Sequence, residues 1–334
     1  MARHHALLVS ALLAACGSNN NTPVDAAKAI DGTAIDATPD AGPDARPADA
    51  ETATGAHHHY VVSKEHIPKT TAEASTFGLD LNGDQIIDNQ LGQALASFTA
   101  QGFDSQAAAD TLVNNGTILM LADFESDDFT AATDAGFTLF AGANPQPPPC
   151  DGSADTTCRH HLAGTGTFDL AATSPHDAPL VGDVVAGTFT GAPGTITIQL
   201  PILTAVAQVS LIGARVQMVG ATAAGFTTTI VGGGITMNEL VTHVYPAVGT
   251  AVTAHIAADC NVAAGPPACG CTAGSIDATI LSVFDTTHDC VVTTAEVTGN
   301  TIIGDLFKPD IMIDGQMVLS VGIGIEAVDG TFTP

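Results

Sequence analysis

In the stretch LDLNGDQIID, residues 79–88, an oxygen-bearing side chain stands at every second place: Asp80, Asn82, Asp84 and Asp88. If Asp80 is position 1, the others fall at positions 3, 5 and 9, and Ile86 at position 7 offers its backbone carbonyl. A loop curling round one ion turns alternate residues inward. Calcium takes six to eight oxygens and tolerates an irregular cage, so carboxylates, an amide and a carbonyl at this spacing suit it. A second set lies far downstream in DTTHDCVVTTAE, residues 285–296. Here Asp285, Thr287, Asp289 and Thr293 take positions 1, 3, 5 and 9, Val291 offers the carbonyl, and Glu296 stands at position 12, where a bidentate carboxylate closes such a cage. The chemistry these residues predict is cation binding.

Both stretches resemble EF-hand or dockerin-type loops, which implies Ca2+ as the cofactor and the residues just named as its ligands. Each departs from the pattern. Gln85 and Cys290 replace the glycine of position 6, Thr287 is a neutral ligand, and Leu91 stands where the first loop needs its closing acid. Ile87 and Val292 hold the apolar position 8, through which paired loops meet in a short ladder, so a ladder between them is the expectation. A plainer reading runs beside this one. Asp88 or Asn89 caps a following helix, and Thr293 with Glu296 forms a capping box, which is compatible with bound calcium.

Other residue groups invite chemistry and give less. His57, His58 and His59, with His66, His160 and His161, could gather a transition metal, but a histidine run at a domain edge reads as solvated surface. Asp123, Glu125, Asp127 and Asp128 could supply a general acid and base; without a perturbing environment they read as a solvated loop. Gly232, Gly233 and Gly234 lack the spacing and the lysine of a phosphate loop, and predict a turn before a helix capped at Thr236. No G-x-S-x-G or H-E-x-x-H occurs.

Several elements must position these groups. Leu91, Leu95 and Phe98 recur at helical spacing over residues 90–100, and a second helix over 105–114 takes Asp104 as its cap. The runs 117–124 and 136–142 predict strands. Beyond the Pro-rich NPQPPPC the period is two, in TITIQL at 195–200, AQVSL at 207–211 and QMVLSVGIGI at 316–325. Thr236 with Glu239 has the form of a capping box, opening a helix towards residue 258 that Pro246 and Gly249 kink. Helical stretches flank the second acidic loop. The fold class expected is α+β, predominantly antiparallel β-sheet and sandwich-like, with a small N-terminal helical part. Two subdomains are expected, 57–145 with the first loop and 146–334 with the second.

The chain begins MARHHALLVSALLAACGSNN. A basic end, a short apolar run and the sequence Leu-Ala-Ala-Cys-Gly resemble the signal and lipobox of bacterial lipoproteins. That resemblance implies removal of the leader, lipidation of Cys16 and partnership with a membrane through the anchor, in the outer membrane of a bacterial envelope. Residues 17–56 are Asp, Ala, Pro and Thr with little apolar bulk, the composition of a disordered acidic tether; it is similar to that of myxobacterial lipoproteins. Of 334 residues 35 are acidic and 8 are Lys or Arg, for a formal charge of −27, which repels nucleic acid and attracts cations. Setting Cys16 aside leaves six cysteines in an exported chain, which read as three disulfides: Cys150 with Cys158, and Cys260, Cys269, Cys271 and Cys290 among themselves. A zinc cluster is the rival, but Cys-Gly-Cys lacks the usual ligand spacing. Together these readings predict a calcium-binding, lipid-anchored envelope or extracellular-matrix protein, structural or adhesive and not an enzyme. The alternatives are a sandwich module binding glycan or lipid, and a hydrolase using the acidic cluster near Asp123.

Overall fold

The computed structural model describes residues 52–100, 104–202, 204–266, 269–273 and 275–334. The leader, Cys16 and residues 17–51 of the expected tether lie outside the described residues. The last tether residues already dock on the fold: the Thr54 N–H donates to the Asp134 carbonyl at 2.8 Å, and the Ala56 N–H to Asp127 Oδ1 at 3.2 Å.

Antiparallel strands dominate the chain. In order they are β1 (His57–His66), β2 (Met120–Glu125), β3 (Ala131–Gln146), β4 (Gly166–Leu170), β5 (Leu180–Val185), β6 (Thr188–Ile202), β7 (Ala205–Val219), β8 (Gly225–Thr236), β9 (Ile311–Ile313) and β10 (Gln316–Thr331). Eight of them pair in a ring, β1-β2-β3-β5-β6-β7-β8-β10, and β10 returns to pair with β1, every contact being antiparallel. The β-rich α+β class expected from the sequence is therefore present, but as a closed meander barrel and not a sandwich. Closure removes both free edges. The alternation in each strand is the same for the two architectures; what separates them is the pairing of the first strand with the last, which no local pattern encodes. β4 bridges the ends of β3 and β10 from outside, and β9 extends β10. Residue 145, the expected subdomain boundary, falls inside β3, whose partners lie on both sides of it, and residues 50–334 form one compact unit. The Pro-rich segment ends a strand and does not separate domains.

Inside the ring the wall residues fill the barrel, as eight strands allow. Tyr60 and Phe226 meet edge to face at 5.3 Å, as do Phe124 and Phe189 at 5.2 Å. Ile196, Ile198, Val209, Leu211, Val231 and Ile323 complete the packing, all essentially without exposure. The three glycines expected in a turn sit instead within β8. Two of them leave no room for a side chain: a Cβ at Gly233 would stand 2.9 Å from the Leu211 Cβ, and one at Gly234 2.4 Å from Val318 Cγ2. On β10 the connection after β1 lies over the strand, and a Cβ at Gly322 would meet the Phe77 carbonyl oxygen at 2.2 Å.

Two excursions from the barrel carry the helices. Between β1 and β2 lie α1 (Thr71–Thr76), α2 (Gln90–Ala100) and α3 (Ser105–Asn114). The last two span the residues expected, and the Asp104 side chain caps α3 by accepting from the Ala107 N–H. Leu91 and Leu95 are buried as their spacing predicts, while the Phe98 side chain lies outside the described residues. Between β8 and β9 lie α4 (Met237–Glu239), α5 (Tyr245–Asp259), α6 (Ile276–Phe284), α7 (Thr294–Gly299) and α8 (Thr301–Leu306). Thr236 caps α4, yet Glu239 completes only half of the box, because its carboxylate accepts from the Ser210 N–H of β7 instead. A π-turn at Leu240–Val244 brings the chain to Pro246 in the first turn of α5, where a missing N–H is harmless. The disulfides are Cys150–Cys158, Cys260–Cys271 and Cys269–Cys290, which places all six cysteines in the two groups expected. No described helix is long and apolar enough to cross a membrane.

Candidate metal centres

The first acidic loop joins α1 to α2. A single bridge between Leu79 and Asp88 closes its base, and the Leu81 N–H donates to Asp88 Oδ2 at 2.9 Å. Within it the Asp80 carboxylate accepts from the Gly83 and Gln85 N–H groups, at 2.7 and 2.9 Å. Asp84 Oδ1 accepts from the Ile86 N–H at 2.8 Å, and Asn82 Oδ1 from the Asp84 N–H at 3.0 Å. Gln85, standing where the pattern has glycine, adopts a left-handed backbone with φ of 67°. The plainer reading also holds in part. Asn89 caps α2, accepting from the Gly92 N–H at 2.9 Å, and its amide ties the helix to the carbonyls of Ala74 and Gly322. Asp88 is committed to the loop, and burial raises its pKa despite the bond from Leu81.

The second loop, between α6 and α7, repeats this frame with different side chains. Asp285 Oδ2 accepts from the N–H of position 6, Cys290, at 2.8 Å, the counterpart of Asp80 with Gln85. Asp289 Oδ1 accepts from the Val291 N–H at 2.9 Å, the counterpart of Asp84 with Ile86. Cys290 has φ of 71°, again left-handed where glycine is usual. The cost of that conformation falls on a residue held from both sides, because its sulfur is bonded to Cys269. Glu296 reaches back across the loop: Oε1 accepts from the Thr287 N–H at 2.9 Å and Oε2 from the Thr293 N–H at 2.9 Å, completing the expected capping box. Burial pushes this carboxyl up, but the bonds from Thr293, Thr287 and Thr286 outweigh it and hold its pKa at about 2.

The expected ladder between the loops is not formed. Ile87 is 46% exposed, whereas Val292 is buried among the helices and accepts at its carbonyl from the Thr253 hydroxyl. The two loops hang from different excursions, each with its own supports, so neither needs the other to close.

A third group escaped the sequence reading because its members were assigned to separate features. His57 and His59 lie two apart on β1 and share a face; Asp123 on β2 is the direct partner of His59. Asp123 is not in a solvated loop. It is 4% exposed, inside a strand, with Oδ2 2.8 Å from His57 Nδ1 and Oδ1 3.7 Å from His59 Nε2. Its neighbours in sequence serve the following turn, Asp127 holding the Ala56 N–H and Asp128 accepting from the Thr130 N–H and hydroxyl. The bond to Asp123 raises the pKa of His57, while burial lowers that of His59. The remaining histidines named above disperse. His66 pairs with Glu326 at 2.6 Å and His160 with Asp155 at 2.8 Å, while His161 is fully buried near Phe168 with its pKa lowered to about 4 by burial. The signal in the sequence was a H-x-H pair in a strand-forming run together with an acid inside the apolar strand MLADFE. No protein-family profile, curated protein or solved structure matches the chain.

Proposed function

We propose that the protein is a calcium-binding component of the bacterial cell envelope, exported and held at a membrane through lipidated Cys16, and structural or adhesive rather than catalytic. The observation that carries the calcium reading is the common frame of the two acidic loops. Unrelated residues at position 6, Gln85 and Cys290, take the same left-handed backbone, with φ of 67° and 71°. In both, the N–H of that residue and of position 7 are spent on the carboxylates of positions 1 and 5. Those bonds orient the carboxylates of positions 1 and 5 in the same way in both loops, and a divalent ion bound there offsets their negative charge. The first loop lacks a closing acid, so water or a neighbouring oxygen completes its shell; in the second Glu296 takes that place. The barrel is the rigid support for the two loops.

Affinities suited to extracellular modules are on the order of 0.1–1 mM. At 10 mM calcium each occupied loop then adds about 1.4–2.7 kcal/mol to the folded state by mass action. The test is calorimetric melting of the exported chain with 10 mM calcium and again with excess chelator. The melting temperature is expected to rise with calcium, and Asp80→Asn and Asp285→Asn each to remove part of the rise. An identical melt with calcium and with chelator would remove the calcium reading altogether.

A further inference from the structure

We propose that His57, His59 and Asp123 form a second kind of metal site on the outer wall of the barrel, one that takes a zinc-class divalent transition ion through three protein ligands. The argument begins with register. Alternate residues of a strand share a face, so His57 and His59 project together, and antiparallel pairing sets Asp123 directly across from His59. One ring nitrogen from each of His57 and His59 and one carboxylate oxygen of Asp123 all lie within 4.8 Å of one another. Two ligands bonded at tetrahedral angles to zinc stand about 3.3 Å apart. The carboxylate faces both rings, with Oδ2 2.8 Å from His57 Nδ1 and Oδ1 3.7 Å from His59 Nε2, so all three side chains converge on a space of that scale.

The second observation is a pair of buried polar atoms with no hydrogen bond. Asp123 is 4% exposed, and its Oδ1 has no partner; neither has His59 Nε2, the atom it faces. At 3.7 Å the two are too far apart to bond directly, and a buried polar atom left without a partner is destabilising. One ion between them satisfies both. The surroundings fix the ligands: the His59 ring packs on Phe332 at 4.4 Å, and Phe332 is itself buried against the outer wall. His57 is the open side, its side chain 54% exposed, so a fourth coordination position faces solvent and takes water or an exogenous group. Two imidazole nitrogens and one carboxylate select zinc and its neighbours over calcium, which requires an all-oxygen shell. The site is thus chemically separate from the acidic loops. Its neighbour His58 points elsewhere, with Nε2 3.0 Å from the Ser126 carbonyl and its ring on Phe129.

The test titrates the exported chain with zinc against a chromophoric chelator, in calcium-containing buffer so that the loops hold their own ion. One zinc per chain is expected, bound at least tenfold more weakly by His59→Ala and by Asp123→Asn, and unchanged by His58→Ala. Cobalt(II) added to the unaltered chain is expected to give the strong visible absorption of a four-coordinate ion, a readout independent of whether any variant folds. Zinc affinity equal in the unaltered chain and both site variants would overturn the proposal, as would a weak six-coordinate cobalt spectrum.

Discussion

Glu65 is the place where this fold is most exposed to a quantitative test. The register of β1 against β10 turns its side chain into the barrel, opposite Ile325, which pairs in turn with Thr229 of β8. The residue has no solvent exposure, and neither carboxyl oxygen has a hydrogen-bond partner among the described residues; the Thr229 hydroxyl is equally alone. Burial therefore raises the pKa of Glu65 well above the ordinary value of 4.5. An acid whose pKa is raised on folding binds its proton more tightly in the native state than in the unfolded chain. Stability is then greatest below 4.5 and falls as pH rises, by about 1.4 kcal/mol per unit, until the raised folded value is reached. Glu65→Gln keeps the shape and the unmade hydrogen bonds but removes the titration. Glu65→Met removes both, and so gains a further 1–3 kcal/mol or so from the polar group no longer buried without a partner.

Denaturant unfolding of the three chains at pH 5, 6 and 7 separates these contributions. The Gln variant is expected to match the unaltered chain near pH 4.5 and to gain on it by about 1.4 kcal/mol between pH 5 and pH 6. The Met variant is expected to lie above the Gln variant by an amount that does not depend on pH, and above the unaltered chain by a gap that widens as pH rises. A gap between Gln and Glu that stays constant with pH, or a Gln variant less stable at pH 7, would refute the assignment of a neutral, unpartnered acid inside the barrel.

Two further outcomes follow from the packing. Glu296→Gln should cost about 1.5–3 kcal/mol, because an amide cannot accept at both ends from the Thr287 and Thr293 N–H groups; since the pKa of Glu296 is lowered from 4.5 to about 2, the unaltered chain should lose this advantage as pH falls through that window and the variant should not, which acid titration of the melting temperature checks. Gly322→Ala should destabilise by about 1–3 kcal/mol, since the new methyl meets backbone at Phe77, whereas Gly304→Ala, in the last helix with nothing within 4 Å, should be neutral or stabilising by up to about 1 kcal/mol in thermal melts.

How much of this was legible depended on how local the cause was. Helices α2 and α3, the Asp104 cap and the Thr293–Glu296 box follow from residues within a few places of one another, and their bounds could be read directly. The half-formed box at Thr236 could not, because the Ser210 N–H that captures Glu239 comes from another strand. Closure of the barrel depends on β10 finding β1, and Gly322 of β10 makes sense only once Phe77 and Gly78 are seen lying over it. The same limit hid the polar groups that matter most. A sequence gives the period of a strand but not its register. One residue of slip would carry Glu65 to the outside, where it would be an unremarkable surface acid, and would carry His57 and His59 inward away from Asp123. The bulge between Val62 and Lys64 sets the parity for the second half of β1. It places Val62 and Glu65, three residues apart, on one face, against the alternation that a flat reading of YVVSKEH assigns. An acid placed inside the core by an irregularity adds nothing to stability, and a bulge is a feature that re-aims side chains rather than a defect. Glu65 therefore stands with the His57–His59–Asp123 group as a position whose chemistry is fixed by pairing across the sheet.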